Sequence, residues 1–384
     1  HITMLRGQLP RVPKIFDLID SAVIGEGEVP LLRLAEALDE GGSLDEVPSL
    51  IYKHPGGGSI RASQPVFPRD QQPARPSMAA GSDDLDGLPD FDGFPLDRYF
   101  VPEPILPLTT AHGCYHGKCA FCNVGYGWTR PNFYHQQAEQ KIVDQMAALY
   151  EKYGARHIFF ADEAISPRTL RRMAALIRER GLPLHWCGCA RFEQVLSKDL
   201  LETVAQGGGR MLLFGLETAS KPMIERMVKG TTVEHMGRIL REGAEAGIWN
   251  HTFFFFGFPG ETIENAQETI NFVYNHQPWL HSASIGTFLL EKYSPVYLDP
   301  EKFGVKRVIS APERDLAIYF DYEVSEGMDE NLAETLVSRF LDVVPKKQFG
   351  QYYLHDTYKL LYAGYLHDQG KPFPPWLVEE QPQP

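Results

Sequence analysis

With 384 residues and a mass of 43.4 kDa, the chain is long enough to bury a full core in one large domain or two. Hydrophobic residues make up 43% and charged residues 23%, and no apolar run is long enough to predict a membrane span. The net charge of −13 argues against a nucleic-acid-binding surface, and five unevenly placed cysteines do not form a disulfide framework, so a reducing cytoplasm is the expected compartment.

The opening "HITMLRGQLPRVPK" lacks the charged-then-apolar layout of a signal peptide. Within residues 1–48, strand-like "SAVIGEGE" precedes "VPLLRLAEALDE", whose leucines and alanines recur at helical spacing. Residues 49–104 are rich in Pro, Gly, Ser and Asp and are expected to be a linker.

From residue 105 a regular alternation predicts six strands, "ILPLTTA", "HIFFADE", "LHWCGCAR", "RMLLFGLE", "HTFFFFGF" and "SASIGTFLL", with five helices between them. This predicts a parallel (β/α)6 partial TIM-type barrel over 105–290, in the α/β class. Residues 291–384 read as a helical C-terminal region. Its tyrosines Tyr352, Tyr353, Tyr358, Tyr362 and Tyr365 are expected to pack a tail helix onto the barrel more than to line a substrate wall.

In such barrels chemistry gathers where strands run into helices. The stretch "TAHGCYHGKCAFCNVGYG" follows the first strand and holds Cys114, Cys119 and Cys122. Three thiolates so close in a reduced protein point to metal. Zinc, completed by His112 or His116, is one reading. An iron–sulfur cubane with one iron left open is the other, and the lack of a second zinc-spaced pair favours it. Cys187 and Cys189 are expected to face opposite sides of a strand as core residues.

These motifs resemble the radical S-adenosylmethionine (SAM) superfamily over residues 105–290, although four residues separate Cys114 from Cys119 where the family has three. The resemblance implies a [4Fe–4S] cluster on Cys114, Cys119 and Cys122, with SAM chelated to its open iron. It places Phe121 beside the adenine and Asp162 and Glu163 at the amino group. Arg191 would pair with the carboxylate, Glu217 would touch the ribose or amino group, and Gly257, Pro259 and Gly260 would lie along the adenine.

The N-terminal residues His1, Thr3, Gly25, Glu26, Gly27 and Glu28 resemble the nucleotide side of a cobalamin-binding domain, so residues 1–48 read as the later part of a Rossmann-like unit. Cobalamin is therefore a candidate cofactor, and methyl transfer to an unactivated carbon the leading outcome. A small-molecule or peptide substrate and an external reductant of the flavodoxin or ferredoxin type are the implied partners. Two alternatives stand beside this reading: a non-catalytic barrel with a structural metal, and a methylthiotransferase or RNA modifier.

Overall fold

Side chains on a strand alternate between its two faces, and this alternation sorts the barrel's residues into two cores. The computed structural model describes residues 2–25, 27–54, 59–63, 87–124, 134–310, 314–344 and 355–373. Six strands form one parallel sheet: β4 (Ile105–Leu108), β7 (His157–Phe160), β8 (His185–Ala190), β9 (Gly209–Glu217), β10 (Trp249–Phe256) and β11 (Ser282–Thr287). They lie in that spatial order, as expected for a partial barrel. Between them run α2 (Glu139–Tyr153), α3 (Pro167–Glu179), α4 (Lys198–Gln206), the short α5 (Lys221–Arg226), α6 (Val233–Glu245) and α7 (Ile263–Asn275). Among the described residues, the short α5 is an addition to the five α-helices expected.

Outward-facing Leu106, Ile158, Phe160, Trp186, Phe214 and Phe254 pack against Ile142, Met173, Leu201 and Ile239 of the helices. Each such side chain contributes about 1.5–3 kcal/mol on burial. Polar caps start the helices where the pattern predicts. Ser166 Oγ accepts from Thr169 N at 3.1 Å, and Thr262 and Asn265 form a reciprocal capping box.

Inward-facing Cys187, Met211, Leu213 and Trp249 form a second core with Leu360 and Ala363 of a tail helix, α10 (Asp356–Asp368). The tail helix thus fills the lower lumen, and Tyr362 meets Trp249 edge-on at 6.2 Å. Its far end is fastened below the strands. Asp368 accepts from Arg156 at 2.7 Å and faces His185 Nε2 at 3.1 Å, while Arg210 Nε donates to His185 Nδ1 at 2.9 Å. Tyr358 and Tyr365 are exposed, and Tyr352 and Tyr353 lie outside the described residues.

Cys187 and Cys189 do not face opposite sides. Two residues apart, they share the inner face, Cys187 buried and Cys189 half-buried above it.

The flanking regions depart from expectation. In the N-terminal segment β1 (Ser21–Val23), α1 (Glu28–Glu40), β2 (Leu50–Lys53) and β3 (Ile60–Ala62) are formed, and the three strands pair antiparallel. Strands β2 and β3 fall inside the stretch read as linker. Leu50, Ile51 and Tyr52 are buried, so a short apolar run outweighed the glycines and prolines around it. The C-terminal region is not wholly helical. Strand β12 (Leu290–Glu291) joins a hairpin of β13 (Val305–Ile309) and β14 (Tyr319–Val324), beside the short α8 (Pro295–Leu298). Helix α9 (Glu330–Val343) then packs on β10 and β11, with Phe340 edge-on to Phe254 at 5.8 Å.

Candidate active site

The three clustered cysteines sit on a loop that leaves β5 (Ala111–Gly113), a strand paired antiparallel with β6 (Tyr134–Gln136). All three are free thiols at intermediate exposure. Ala120, between them, is buried among Met223, Met227, Phe258 and Val296, and this contact seats the loop on the barrel mouth. Arg191 Nη1 donates to Cys119 Sγ at 3.5 Å, and Val124 N donates to Cys122 Sγ at 3.4 Å.

Such N–H donors stabilise thiolate ligands, so the donor set fits a sulfur-ligated cluster. Among the described residues no three His, Cys, Asp or Glu side chains converge as a ready chelate for a single ion. His116, a candidate zinc ligand, has its Nε2 2.9 Å from the Val228 carbonyl.

A strained segment holds this loop from the other side. Val228 has φ 54° and Gly230 φ 71°, both left-handed, and a β-branched residue there costs about 1–3 kcal/mol. The strain turns three successive carbonyls toward the site. Met227 O accepts from Ala120 N at 2.9 Å, Val228 O faces His116, and Lys229 O accepts from Arg191 Nη2. Arg191 also donates through Nε to Glu193 at 2.9 Å, so its guanidinium is fixed on three sides.

Lys229 went unnoticed in the sequence. Its ammonium donates to Glu217 Oε1 at 2.8 Å and lies 5.5 Å from the ring centre of Phe121. Both partners are buried. The pair stands over Gly215, where an added Cβ would come within 2.4 Å of Glu217 Oε1 and 2.8 Å of Lys229 Nζ. A side chain there would have to displace the pair. Glu217 itself has φ 59°, and the β9–β10 register shifts beside it, re-aiming its side chain into the lumen. The one signal in the sequence was the "VKG" between two amphipathic helices, a lone lysine without a motif.

The structure brings most of the expected residues together, in differing states. Phe121 lies edge-on to Phe255 at 5.5 Å. Asp162 is buried with both oxygens engaged, accepting from Thr110 N, the Thr110 hydroxyl at 2.6 Å and Ala111 N at 2.8 Å. It pins the strand that leads into the cysteine loop. The Glu163 side chain is exposed, but the surrounding protein strips part of its hydration, and this desolvation, with Asp162 beside it, raises its pKa.

Gly257 and Gly260 both have φ 86°, which favours glycine, and Gly260 abuts the Arg226 guanidinium while Pro259 is buried. In the same turn Glu261 is fully buried and accepts from Gly257 N at 2.6 Å; burial pushes its pKa up to about 7.

The N-terminal segment reaches this mouth as well. The Met4 sulfur accepts from the Asn123 side chain, one residue beyond Cys122, and Asn123 N donates to Glu291 Oε2 at 3.4 Å. Arg6 lies 4.4 Å over the Tyr293 ring. His1 and Glu26 lie outside the described residues.

The radical SAM superfamily model matches residues 108–273. An uncharacterized methyltransferase of Pyrococcus horikoshii is 26% identical, over 66% of this chain and 52% of its own length. Cytidylyl-2-hydroxyethylphosphonate methyltransferase of Streptomyces wedmorensis is 24% identical, over 74% of this chain and 59% of its own. The chain therefore spans about half the length of these curated relatives. The solved structure of the radical SAM methyltransferase TsrM from Kitasatospora setae, with tryptophan and a SAM analogue bound, superposes with a TM-score of 0.69 at 17% identity. That match covers 96% of this chain and 77% of the other, and establishes a shared fold.

Proposed function

For a chain that belongs to the radical SAM superfamily through residues 108–273, we propose reductive cleavage of one SAM to a radical that abstracts a hydrogen atom from an unactivated carbon of a small molecule, and transfer to that carbon of a methyl group drawn from a second SAM. The observation that carries the reading is the trio of free, half-buried thiols, Cys114, Cys119 and Cys122, on one loop at the mouth of a parallel barrel. A [4Fe–4S] cluster held there would pass one electron to the sulfonium, breaking its C–S bond to give methionine and a 5′-deoxyadenosyl radical. A one-electron reductant of the flavodoxin or ferredoxin type would supply that electron.

The chain's own residues bind and orient. Arg191, fixed by Glu193 and the Lys229 carbonyl, offers a rigid guanidinium edge to a carboxylate. Glu163, with no latch like that of Asp162, is the acceptor open to an amino group. Glu217 and Lys229 together present an acceptor and a donor to ribose hydroxyls, and Phe121 gives the adenine an aromatic face.

Methyl transfer is favoured because the Pyrococcus horikoshii and Streptomyces wedmorensis relatives are both described as methyltransferases. A cobalamin-assisted version has one observation of its own. The segment resembling the nucleotide side of a corrinoid site contacts Asn123, so a corrinoid on that face would sit beside the cluster loop.

Anaerobic reconstitution with iron and sulfide, then SAM and dithionite, tests the reading. It predicts roughly four irons per chain and 5′-deoxyadenosine, with Cys122→Ala at least a hundredfold slower. One zinc with no iron, or no 5′-deoxyadenosine from an iron-loaded protein, would overturn it.

A further inference from the structure

The lumen wall on β10 is a column of inward side chains, Trp249, His251, Phe253 and Phe255 from bottom to top. Trp249 is sealed by the tail helix, whereas Phe253 and Phe255 are only half-buried and line open space. A Cβ added at Gly286, level with Phe255, would meet nothing within 4 Å. Between these layers the apolar wall is broken by a fully buried histidine.

His251 Nδ1 lies 2.8 Å from Ser282 Oγ, which also accepts from Trp249 Nε1 at 2.8 Å. Lys359 Nζ, which can only donate, lies 3.5 Å from the same Nδ1. Nδ1 is therefore the acceptor, and Nε2–H points to Ser284 Oγ at 3.2 Å. Ser284 is exposed on the lumen side, leaving its own hydroxyl proton to donate. Lys359 Nζ also donates to Asp356 Oδ1 at 2.9 Å, and Asp356 stands 4.0 Å from His251 Nε2. The helix does not need these groups for docking, since Leu360, Ala363 and Asp368 already fasten it.

Resting on the radical SAM reading above, we propose that Ser284, Lys359, Asp356 and His251 form the substrate's polar anchor at the lumen floor. The site takes a head group with a donor beside an acceptor, on an aromatic or apolar body held by Phe253 and Phe255. Ser284 and Lys359 supply donors and Asp356 the acceptor. The Lys359–Asp356 pair is neutral overall, so a lone anion meets Asp356 and a lone cation meets Lys359. A neutral amide-type edge, or a zwitterion, meets neither penalty. Four residues of strand separate His251 from Phe255, roughly 13 Å, which suits a small molecule beneath the SAM layer.

Saturation-transfer NMR on the reconstituted protein with benzamide, benzoate and benzylammonium tests the anchor. For ligands of this size affinities in the millimolar range are expected. Benzamide should bind at least fivefold more tightly than either ion. Asp356→Asn should swing the benzoate-to-benzamide ratio about tenfold toward benzoate, and Ser284→Ala should weaken benzamide several-fold. Lys198→Met, on the outer surface, should change nothing. Equal binding of all three probes, or an unchanged order in a folded Asp356→Asn, would overturn the anchor. Production of 5′-deoxyadenosine by the wild type without any probe is scored separately, so a failed radical reading and a failed anchor give different results.

Discussion

Lys229 Nζ and Glu217 Oε1 meet at 2.8 Å inside the barrel, with side chains only 4% and 11% exposed. Removing one member of such a pair strands the other charge away from water, at a cost of about 3–5 kcal/mol. Lys229→Met should therefore lower stability by that order, and should weaken SAM binding at least tenfold. The double variant Lys229→Met/Glu217→Gln should recover most of the stability and none of the binding. Urea denaturation and equilibrium dialysis with SAM check the two halves separately.

Asp162 and Glu163 are neighbours in sequence with different work. Asp162→Ala would leave two backbone N–H groups and a hydroxyl without their acceptor, costing about 3 kcal/mol. Iron retained after reconstitution should fall with it, because the pinned strand leads into the cysteine loop. Glu163→Gln should keep the wild-type melting temperature and iron content and lose SAM affinity roughly tenfold. Thermal denaturation with iron analysis separates the pair.

Acid should unfold the protein through its interior histidines. Burial lowers the pKa of His157, His251 and His281 to about 3 and of His185 to about 4. Unfolded, each takes a proton near pH 6.5, so their stabilisation is complete above that pH and is lost progressively as the pH falls toward the folded values. Glu261 runs the other way. Raised to about 7, it favours the fold most below pH 4.5, a contribution lost as the pH rises to 7. Near pH 5.5 unfolding should therefore take up about three protons, or roughly 4 kcal/mol per pH unit. Urea midpoints measured between pH 7.5 and 5 give that slope directly.

The barrel was legible because its evidence is local. Alternating faces, helical spacing and capping residues all lie within a few positions of one another, and six strands followed from them. The cysteine loop was legible for the same reason. Asp162 was assigned to a ligand because its partners, Thr110 and Ala111, are about fifty residues away and only the fold makes them neighbours. Lys229 was invisible since its meaning comes from a backbone twist at Val228 and a missing side chain at Gly215. Cys187 and Cys189 were set on opposite faces although a two-residue spacing puts them on one. Nothing short-range showed that Leu360 and Ala363 would enter the barrel instead of lying on its surface.

Electron paramagnetic resonance of the anaerobically reconstituted, dithionite-reduced protein bears most directly on the central claim, that three thiols leave a cluster iron free for SAM. A reduced [4Fe–4S] signal whose g-values move when SAM is added, and which Cys119→Ala abolishes, is the predicted result. A signal indifferent to SAM, or a reduced protein containing zinc and no cluster, would contradict the account.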